Sequence, residues 1–232
     1  MTWGVIMNNE ALMQEGIREV KWTSIKHYIY LGIKRGFDIF VSLIGCIVLL
    51  PLMLIVKICN VISGDLNPMF YKQKRLGKNG KLIYIYKFIS MVPNADEVLK
   101  ELLEKSPERK KEWEENQKLE NDPRITKMGN ILRKTSLDEI PQMINVLKGD
   151  MSLIGPRPLV EGELDLHNGN HELYESARPG ITGWWACNGR SATTYEERLN
   201  LEYFYVKNMS LLLDIKCIIK TALAVIKRDG AK

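Results

Sequence analysis

The longest run of apolar positions in the chain extends from Phe37 to Val56 and contains one acidic residue, Asp38, close to its start. A helix of about 20 apolar residues is long enough to cross the hydrocarbon core of a bilayer. The run therefore predicts a helix that enters a membrane. Pro51 lies within it, and proline removes a backbone donor and clashes with the preceding turn. We expect a kink or a break in the helix at this membrane position.

Basic residues flank both ends of the apolar run: Lys26, Lys34 and Arg35 precede it, and Lys57 and a cluster from Lys72 to Lys87 follow it. Lys and Arg near membrane segments stay on the cytoplasmic side. Positive flanks at both ends therefore favour a re-entrant helix-break-helix that enters, bends at Pro51 and returns. A kinked helix that spans the bilayer is the alternative, since spanning helices also tolerate proline.

The pattern after the apolar run predicts a small sheet followed mainly by helices. Apolar and basic residues alternate around Asn79-Gly80, a dipeptide that favours a β-hairpin turn. Strong helix formers between residues 95 and 120, interrupted at Pro107, predict solvated surface helices. A further helix is predicted from about Leu137 to Leu147, followed by a loop-rich stretch from 148 to 190.

The C-terminal segment, Leu211 to Arg228, interleaves apolar residues with Lys and Arg. This pattern is typical of an amphipathic helix on anionic lipid, and a helix packed on the protein core is the alternative. The whole pattern predicts a mainly helical α+β fold. It divides into an N-terminal extension over 1–33, a membrane helix over 34–60 and a domain outside the membrane over 61–232.

Composition fits a single unit of this kind. The 232 residues are 45% hydrophobic, which suffices for one core and a small appendage. Lys and Arg outnumber Asp and Glu by 33 to 28, and the excess is concentrated between Lys34 and Lys87. The four cysteines lack both metal-knuckle spacing and the density of a disulfide scaffold, which favours reduced thiols in a cytosolic setting. The first 30 residues lack a compact apolar run, so no cleavable signal is expected.

The candidate chemistry centres on the segment ILRKTSLDEIPQ, in which the adjacent carboxylates Asp138 and Glu139 follow Arg133 and Lys134. Ser136 and Glu139 also match a capping box, in which Glu139 would fold back onto the Ser136 amide. That structural alternative assigns no role to Asp138.

Two arginines stand beside prolines and glycines, Arg157 in LIGPRPLVEGE and Arg178 in ARPGITGWWACNGR. Guanidinium forks next to a closely approachable backbone suit phosphate, although each arginine taken singly is more typical of a loop brace. Lys72 and Arg75 of the hairpin add basic charge. Beside a membrane segment they favour lipid headgroups or a carrier phosphate over nucleic acid.

The other candidates are weaker. His167 and His171 have i, i+4 spacing, but the residues between them favour a loop and disfavour a metal site. Trp184 and Trp185 suit stacking on a base, a place at the lipid interface, or simple packing.

These motifs, in this order, resemble the bacterial sugar transferase family, the monotopic phosphoglycosyl transferases. The resemblance rests on KRGFDIFVSL, on TSLDEIPQMINVLKGDMSLIGPRP, and on RPGITGW followed by NGR, and it extends from about Lys34 to Arg228. It implies a monotopic protein of the cytoplasmic membrane, inserted from the inner leaflet, with its catalytic domain on the cytoplasmic face. It also implies a UDP-sugar donor, undecaprenyl phosphate as acceptor and Mg²⁺, at the first membrane step of surface glycoconjugate synthesis. The resemblance does not decide whether the chain forms homo-oligomers.

The resemblance further implies a covalent route. Asp138 attacks the β-phosphate of the donor, UMP leaves, and the lipid phosphate takes the phosphosugar from the aspartyl intermediate. Asp138 and Glu139 are plausible Mg²⁺ contacts, and Arg133, Arg157 and Arg178 are expected to neutralise phosphate oxygens. Direct attack by the lipid phosphate is an alternative, as is a membrane-anchored interaction protein without catalysis.

The sequence departs from the family pattern at four places. Leu50, instead of a serine, precedes Pro51, and Glu161 and Glu163 flank the position where one glutamate is expected. Trp184-Trp185 and Cys187 replace a Trp-Ala-Gln-Val run. No large N-terminal multi-span module is evident, which favours the short form of the family.

Overall fold

A computed structural model describes residues 25–64, 67–116, 119–163, 171–189 and 193–227. Its first element, α1, is a helix of 38 residues from Ile25 to Ile62. The helix begins before the predicted membrane segment and includes the last part of the predicted N-terminal extension. The rest of that extension, 1–24, lies outside the described residues.

The helix α1 continues through Pro51, so the break predicted there does not appear in the secondary structure. Packing on both sides of the proline accounts for the continuity, because Leu49 and Val56 are buried in one cluster with Phe88 and Leu132. A proline inside a helix costs about 3 kcal/mol, and burying two large apolar side chains offsets a cost of that size. The re-entrant path stays a prediction.

The remaining surface of α1 is apolar and exposed. In its most apolar window of 18 residues, 17% is buried, whereas the core helix of a soluble protein is mostly covered. Large exposed side chains occur on both sides of Pro51, among them Phe40, Ile47, Leu54 and Ile62. The length, composition and exposure of α1 therefore indicate membrane association.

The predicted hairpin is confirmed. Strands β1 (Phe70–Leu76) and β2 (Leu82–Phe88) form an antiparallel pair. In the turn between them, Asn79 and Gly80 have positive φ angles of 57° and 70°. Asn and Gly tolerate this left-handed conformation better than other residues, which is why the dipeptide located the turn.

The predicted surface helices are α2 (Ala95–Lys105) and α3 (Pro107–Asn116). Pro107 is the first residue of α3, a position at which the missing N–H of proline costs nothing. The next helix, α4 (Lys127–Lys134), begins after Thr126, whose side chain accepts a hydrogen bond from the Gly129 amide.

The helix predicted from Leu137 to Leu147 is divided in two. A 3-10 helix, Leu137–Gln142, precedes α5, Met143–Lys148. Pro141 lies inside the 3-10 segment and cannot donate the hydrogen bond of a regular α-helix. The division places the carboxylate pair on a tight turn at the start of the segment.

Two short parallel strands, β3 (Ser152–Ile154) and β4 (Gly180–Thr182), lie within the stretch predicted to be loop-rich. Four helices complete the described chain: α6 (His171–Glu175), α7 (Trp184–Asn188), α8 (Tyr195–Lys207) and α9 (Leu211–Lys227). The main core joins β2, α5, β3, α8 and α9 through Ile83, Val146, Ile154, Tyr205 and Cys217. The predicted mainly helical α+β class is confirmed.

The C-terminal helix packs on the protein core along one face, and its contact with lipid stays a prediction. Leu213 and Cys217 of α9 are buried in the core. A second apolar face of the same helix is exposed and carries Leu212, Ile215, Ile219 and Leu223. Helix α9 thus packs on the protein and also presents an uncovered apolar surface.

Two buried aspartates attach α1 to the rest of the protein. Asp214 of α9 accepts hydrogen bonds from the Tyr30 hydroxyl at 3.0 Å, the Lys34 ammonium at 2.9 Å and the Tyr205 hydroxyl at 2.6 Å. Asp38 of α1 accepts from the Ser152 hydroxyl at 3.1 Å.

The Asp38 carboxylate also accepts from the Leu153 amide at 3.0 Å. Because buried carboxylates without partners are costly, these bonds fix how α1 sits on β3 and α9.

Candidate active site

The carboxylate pair lies on the 3-10 helix between α4 and α5. Ser136, the residue before this helix, has a left-handed φ of 56°, and among the described residues its side chain caps no amide. The Glu139 amide instead lies 3.4 Å from the Ser136 carbonyl oxygen. The capping box is therefore not formed, and the structural explanation for the Ser136–Glu139 spacing is wrong.

Glu139 is paired with a lysine from the hairpin. The Lys87 ammonium donates to Glu139 Oε1 at 2.6 Å, and both side chains are about two-thirds covered. Lys87 stands near the end of β2, which packs against the 3-10 helix. The charge pair explains why Glu139 turns away from the backbone, since a charged donor at this distance binds more strongly than an amide.

Asp138 is half-buried beside this pair. Burial raises the pKa of its carboxyl, and the negative charge of Glu139 raises it further, whereas Lys87 and Arg133 lower it. Partial desolvation makes an ionised carboxylate a better nucleophile than one in bulk water, and the nearby cations favour the ionised form. We call Asp138, Glu139, Lys87 and Arg133 together the carboxylate group of the site.

The position of Arg133 is fixed by Ser90. Arg133 Nε donates to the Ser90 hydroxyl at 2.8 Å, and the Ser90 carbonyl accepts from the Thr126 amide at 3.0 Å. Gly129 of α4 lies so close that a Cβ there would be 2.0 Å from the Ser90 carbonyl oxygen. The sequence reasoning missed both Ser90 and Lys87 as site residues. The alternation along β2 could have indicated Lys87, whereas nothing local indicates Ser90.

A second group of charges forms around Arg157, at the other end of the hairpin. Burial lowers the pKa of Arg75, and the charge of Arg157 lowers it further. The guanidinium groups of Arg157 and Arg198 lie 5.5 and 5.1 Å from the ring centre of Trp185. Arg198 also pairs with Glu163 at 3.0 Å and with Glu202 at 3.2 Å. We call Arg75, Arg157 and Arg198 the arginine group.

The hairpin connects the carboxylate group with the arginine group. Lys87 is directly opposite Tyr71 in the strand register, and Arg75 follows Tyr71 by four positions on the same face. At about 3.3 Å per residue, the backbones at Lys87 and Arg75 are roughly 13 Å apart along the strands. One face of the sheet thus carries cations to both groups.

Arg178 and Lys72 belong to neither group. Arg178 Nε donates to the Gly149 carbonyl at 3.0 Å, and its side chain lines a cavity beside α1. Lys72 is exposed, with its ammonium 5.8 Å from the ring centre of Tyr86. The structure therefore separates the predicted phosphate-binding residues into four places and brings Arg133 alone among them to Asp138.

Several weaker candidates have structural roles. Trp185 packs against the arginine group, and Trp184 packs against Phe204 at 5.5 Å and Lys220 at 4.9 Å. Of the two glutamates after the GPRP motif, Glu161 pairs with exposed Lys74, and Glu163 pairs with Arg198.

His167, one of the two histidines considered above as metal ligands, lies outside the described residues. Within the described ranges, no group of three or more His, Cys, Asp or Glu residues could hold a metal ion.

Glu202 was not singled out from the sequence. It is 2% exposed, and burial raises its pKa to about 7 against the lowering effect of Arg198. Its Oε1 also lies 3.4 Å from the Arg157 amide. Glu202 therefore braces the loop that carries Arg157.

The sequence is similar to those of known proteins over most of its length. A family described as bacterial sugar transferase matches residues 29–228. The undecaprenyl-phosphate galactose phosphotransferase of Salmonella typhimurium is 48% identical over 199 residues, which cover 86% of this chain and 41% of that protein. Exopolysaccharide production protein ExoY of Sinorhizobium fredii is 41% identical over 85% of this chain and 87% of its own length.

A third relative, the UDP-N-acetylgalactosamine-undecaprenyl-phosphate N-acetylgalactosaminephosphotransferase of Aeromonas hydrophila, is 34% identical over 88% of this chain and 46% of its own length. The chain thus spans less than half the length of several relatives and most of the length of others. The match covers α1, the hairpin, the carboxylate group and the arginine group. The chain belongs to the bacterial sugar transferase family.

Proposed function

We propose that this chain transfers a phosphosugar from a UDP-sugar to undecaprenyl phosphate, giving undecaprenyl-diphospho-sugar and UMP. The observation that carries the proposal is the half-buried Asp138 beside Glu139, Lys87 and Arg133, with Glu139 engaged by a lysine and not by a helix cap. A pair that only capped a helix would not need two cations. The names of the relatives support the reaction class, since they include undecaprenyl-phosphate phosphotransferases acting on galactose and N-acetylgalactosamine.

The reaction proceeds by two displacements at one phosphorus atom. A carboxylate oxygen of Asp138 attacks the β-phosphorus of the donor, and the bond to the α-phosphate oxygen breaks, so that UMP leaves with the electron pair. An oxygen of the lipid phosphate then attacks the same phosphorus and releases the Asp138 carboxylate. Each step exchanges one phosphate bond of high transfer potential for another, so catalysis depends on charge neutralisation and positioning.

The chain's own residues supply part of that neutralisation. Arg133, held by Ser90, and Lys87, which also holds Glu139 in place, both act on the charge of the reacting carboxylate. Arg75 of the arginine group lies roughly 13 Å from Lys87 along the hairpin backbone, a span comparable with that of a nucleoside diphosphate. We assign the arginine group to the uridine diphosphate end of the donor, which guanidinium forks suit.

Asp138 and Glu139 fit a Mg²⁺ ion, because this ion is commonly bound by one or two carboxylates together with substrate phosphates and water. Glu139 Oε1 is engaged by Lys87, which leaves the other oxygen for such a contact. When bound, Mg²⁺ supplies positive charge that stabilises the phosphate oxygens.

The proposed orientation places the catalytic domain on the cytoplasmic face of the membrane. The donor and UMP are water-soluble, whereas the acceptor is a lipid, so the site belongs at a membrane surface. The exposed apolar faces of α1 and α9, two helices joined through Asp214, provide surfaces for that contact.

The test uses membranes that contain the chain, undecaprenyl phosphate and a panel of UDP-sugars. We expect UMP and a lipid-linked sugar diphosphate to appear together with one or a few of the sugars, and both to vanish when a chelator removes Mg²⁺. A protein that only scaffolds other enzymes would release no UMP from any donor.

The pH dependence provides a second test of the site. Asp138 must be ionised to attack, so the rate falls as the pH falls through its raised pKa. Replacing Glu139 with Gln removes a charge that raises the pKa of Asp138. We therefore expect the acidic limb of the pH–rate profile to move to lower pH, whatever happens to the maximal rate.

Two further variants control this measurement. Replacing Lys87 with Met removes a charge that lowers the Asp138 pKa, so the acidic limb is expected to move to higher pH. Replacing Glu161, an exposed glutamate paired with Lys74, with Gln should leave the limb in place. If the acidic limbs of the pH–rate profiles coincide in the wild type and in all three variants, the role assigned to Asp138 is contradicted.

A further inference from the structure

A basic cavity lies beside the first turns of α1, apart from the carboxylate pair. It has a volume of about 80 Å³, and its charged or titratable lining consists of His27, Lys34, Arg35, Asp38, Lys78 and Arg178. The lining comes from α1, from the turn of the hairpin and from the segment that leads into β4. The described residues that line it include neither Asp138 nor Glu139.

Positive charge exceeds negative charge in this cavity. Lys34 is neutralised by Asp214 at 2.9 Å, and Asp38 contributes one further negative charge. Four permanent cations, Lys34, Arg35, Lys78 and Arg178, therefore face two carboxylates, which leaves an excess of two positive charges.

Two of the cations are partly engaged by neutral groups. Arg35 donates to the carbonyls of Val146 and Leu147 at 2.6 and 2.9 Å, and Arg178 donates to the Gly149 carbonyl. These carbonyls lie at the C-terminal end of α5, and they orient the two guanidinium groups without cancelling their charge.

Lys78 is a cation of the cavity whose ammonium is not paired with any described residue. Within the described parts of the chain, no residue forms a hydrogen bond or an ion pair with its ammonium. Burial lowers the pKa of Lys78, and the nearby charge of Arg178 lowers it further. An anion between Lys78 and Arg178 would remove this repulsion and provide acceptors for both donors.

We propose that this cavity binds a phosphate group at the membrane surface, separately from the carboxylate site. Its volume equals that of two to three water molecules at about 30 Å³ each, which is enough for a phosphate group. Exposed Tyr28, Ile29 and Ile33 lie on the same turns of α1 as part of the lining, so the cavity is next to an apolar surface that suits contact with lipid. The phosphate is the headgroup of an acidic phospholipid or a dissolved phosphate ion, and both present the same oxygens.

The experiment measures the unfolding temperature of the full chain in an uncharged detergent, without any nucleotide sugar. Inorganic phosphate is titrated against chloride at constant ionic strength, and short-chain phosphatidylglycerol is titrated against short-chain phosphatidylcholine. We expect a saturable rise in the unfolding temperature of the wild type. Replacing Lys78 with Gln should raise the half-saturating concentration roughly tenfold, the effect of losing one charge-assisted contact.

Lys81 provides a matched control from the same hairpin. Its side chain is 74% exposed and lies 3.8 Å from Asp150, outside the cavity. The Lys81→Gln variant loses the same charge and should titrate like the wild type, and Lys78→Arg should restore most of the response. The unfolding temperature without either ligand shows whether each variant is folded.

Each outcome decides the proposal. A response to phosphatidylglycerol alone supports it and assigns the phosphate to lipid, and a response to inorganic phosphate alone supports it and assigns the site to a soluble anion. No saturable response to either ligand, or equal losses in Lys78→Gln and Lys81→Gln, overturns it. Because no sugar donor is present, failure here leaves the proposed transferase activity untouched.

Discussion

Replacing Asp138 with Asn is expected to reduce UMP release by at least about 10³-fold, because loss of a nucleophile usually costs that much or more. The amide keeps the size of the side chain but cannot form the acyl phosphate. In the wild type, quenching with donor alone should leave the mass of one phosphosugar on the peptide that contains Asp138. The Asp138→Asn variant should show no such adduct.

Asp150→Asn is the matched control for this measurement. Among the described residues, the Asp150 side chain forms a long ion pair, 3.8 Å, with exposed Lys81, so the same loss of charge should leave the rate unchanged. Lipid-linked product in the wild type without any adduct on Asp138 would indicate direct attack by the lipid phosphate. Near-normal activity in the Asp138→Asn variant would refute the proposed role of this carboxylate altogether.

Replacing Asp214 with Ala is expected to destabilise the protein by about 3–5 kcal/mol, the usual cost of removing one partner of a buried ion pair. Lys34 and Asp214 are only 10% and 8% exposed, and the carboxylate also accepts from Tyr30 and Tyr205. The change therefore leaves an ammonium and two hydroxyl groups without their acceptor. The midpoint of denaturant unfolding in detergent would measure the loss.

A double variant separates the charge from the packing. Combining Lys34→Met with Asp214→Leu removes both charges and keeps apolar volume, so much of the stability lost in Asp214→Ala should return. A cost below about 1 kcal/mol for Asp214→Ala would show that the network contributes little to the attachment of α1.

Local signals in the sequence were sufficient for part of the fold. The Asn79-Gly80 pair located the hairpin turn because few other residues adopt two successive positive φ angles. The surface helices were readable from helix formers and from Pro107. The carboxylate pair was identified from its neighbours along the chain, and Arg133 does act on Asp138 in the structure.

Contacts between distant segments could not be predicted in the same way. The capping box was a sound inference from spacing, but Lys87, 52 positions away, binds Glu139 instead. The strands β3 and β4 are too short to show a periodic pattern, and their parallel pairing depends on the intervening chain. Glu202 braces Arg157 across 45 positions, which no motif reveals.

The membrane segment shows the limit of a proline signal. Pro51 predicted a kink or a break, and no break occurs there, because residues on both sides pack into one cluster with Phe88 and Leu132. The strain at proline favours a break, whereas tertiary packing favours a continuous helix. The local sequence reports the strain but not the packing.

The bonds of Asp38 also bear on when the protein can be assembled during its synthesis. Its carboxylate accepts from Ser152 and Leu153, which follow it by 114 and 115 positions. At 5–20 residues per second, a ribosome needs roughly 6–23 s to add that length of chain. Until then the carboxylate has no partner from β3, and an unpaired carboxylate resists transfer into lipid. Helix α1, although it is made before β3, can therefore be seated only after the strand that completes its hydrogen bonds has been translated.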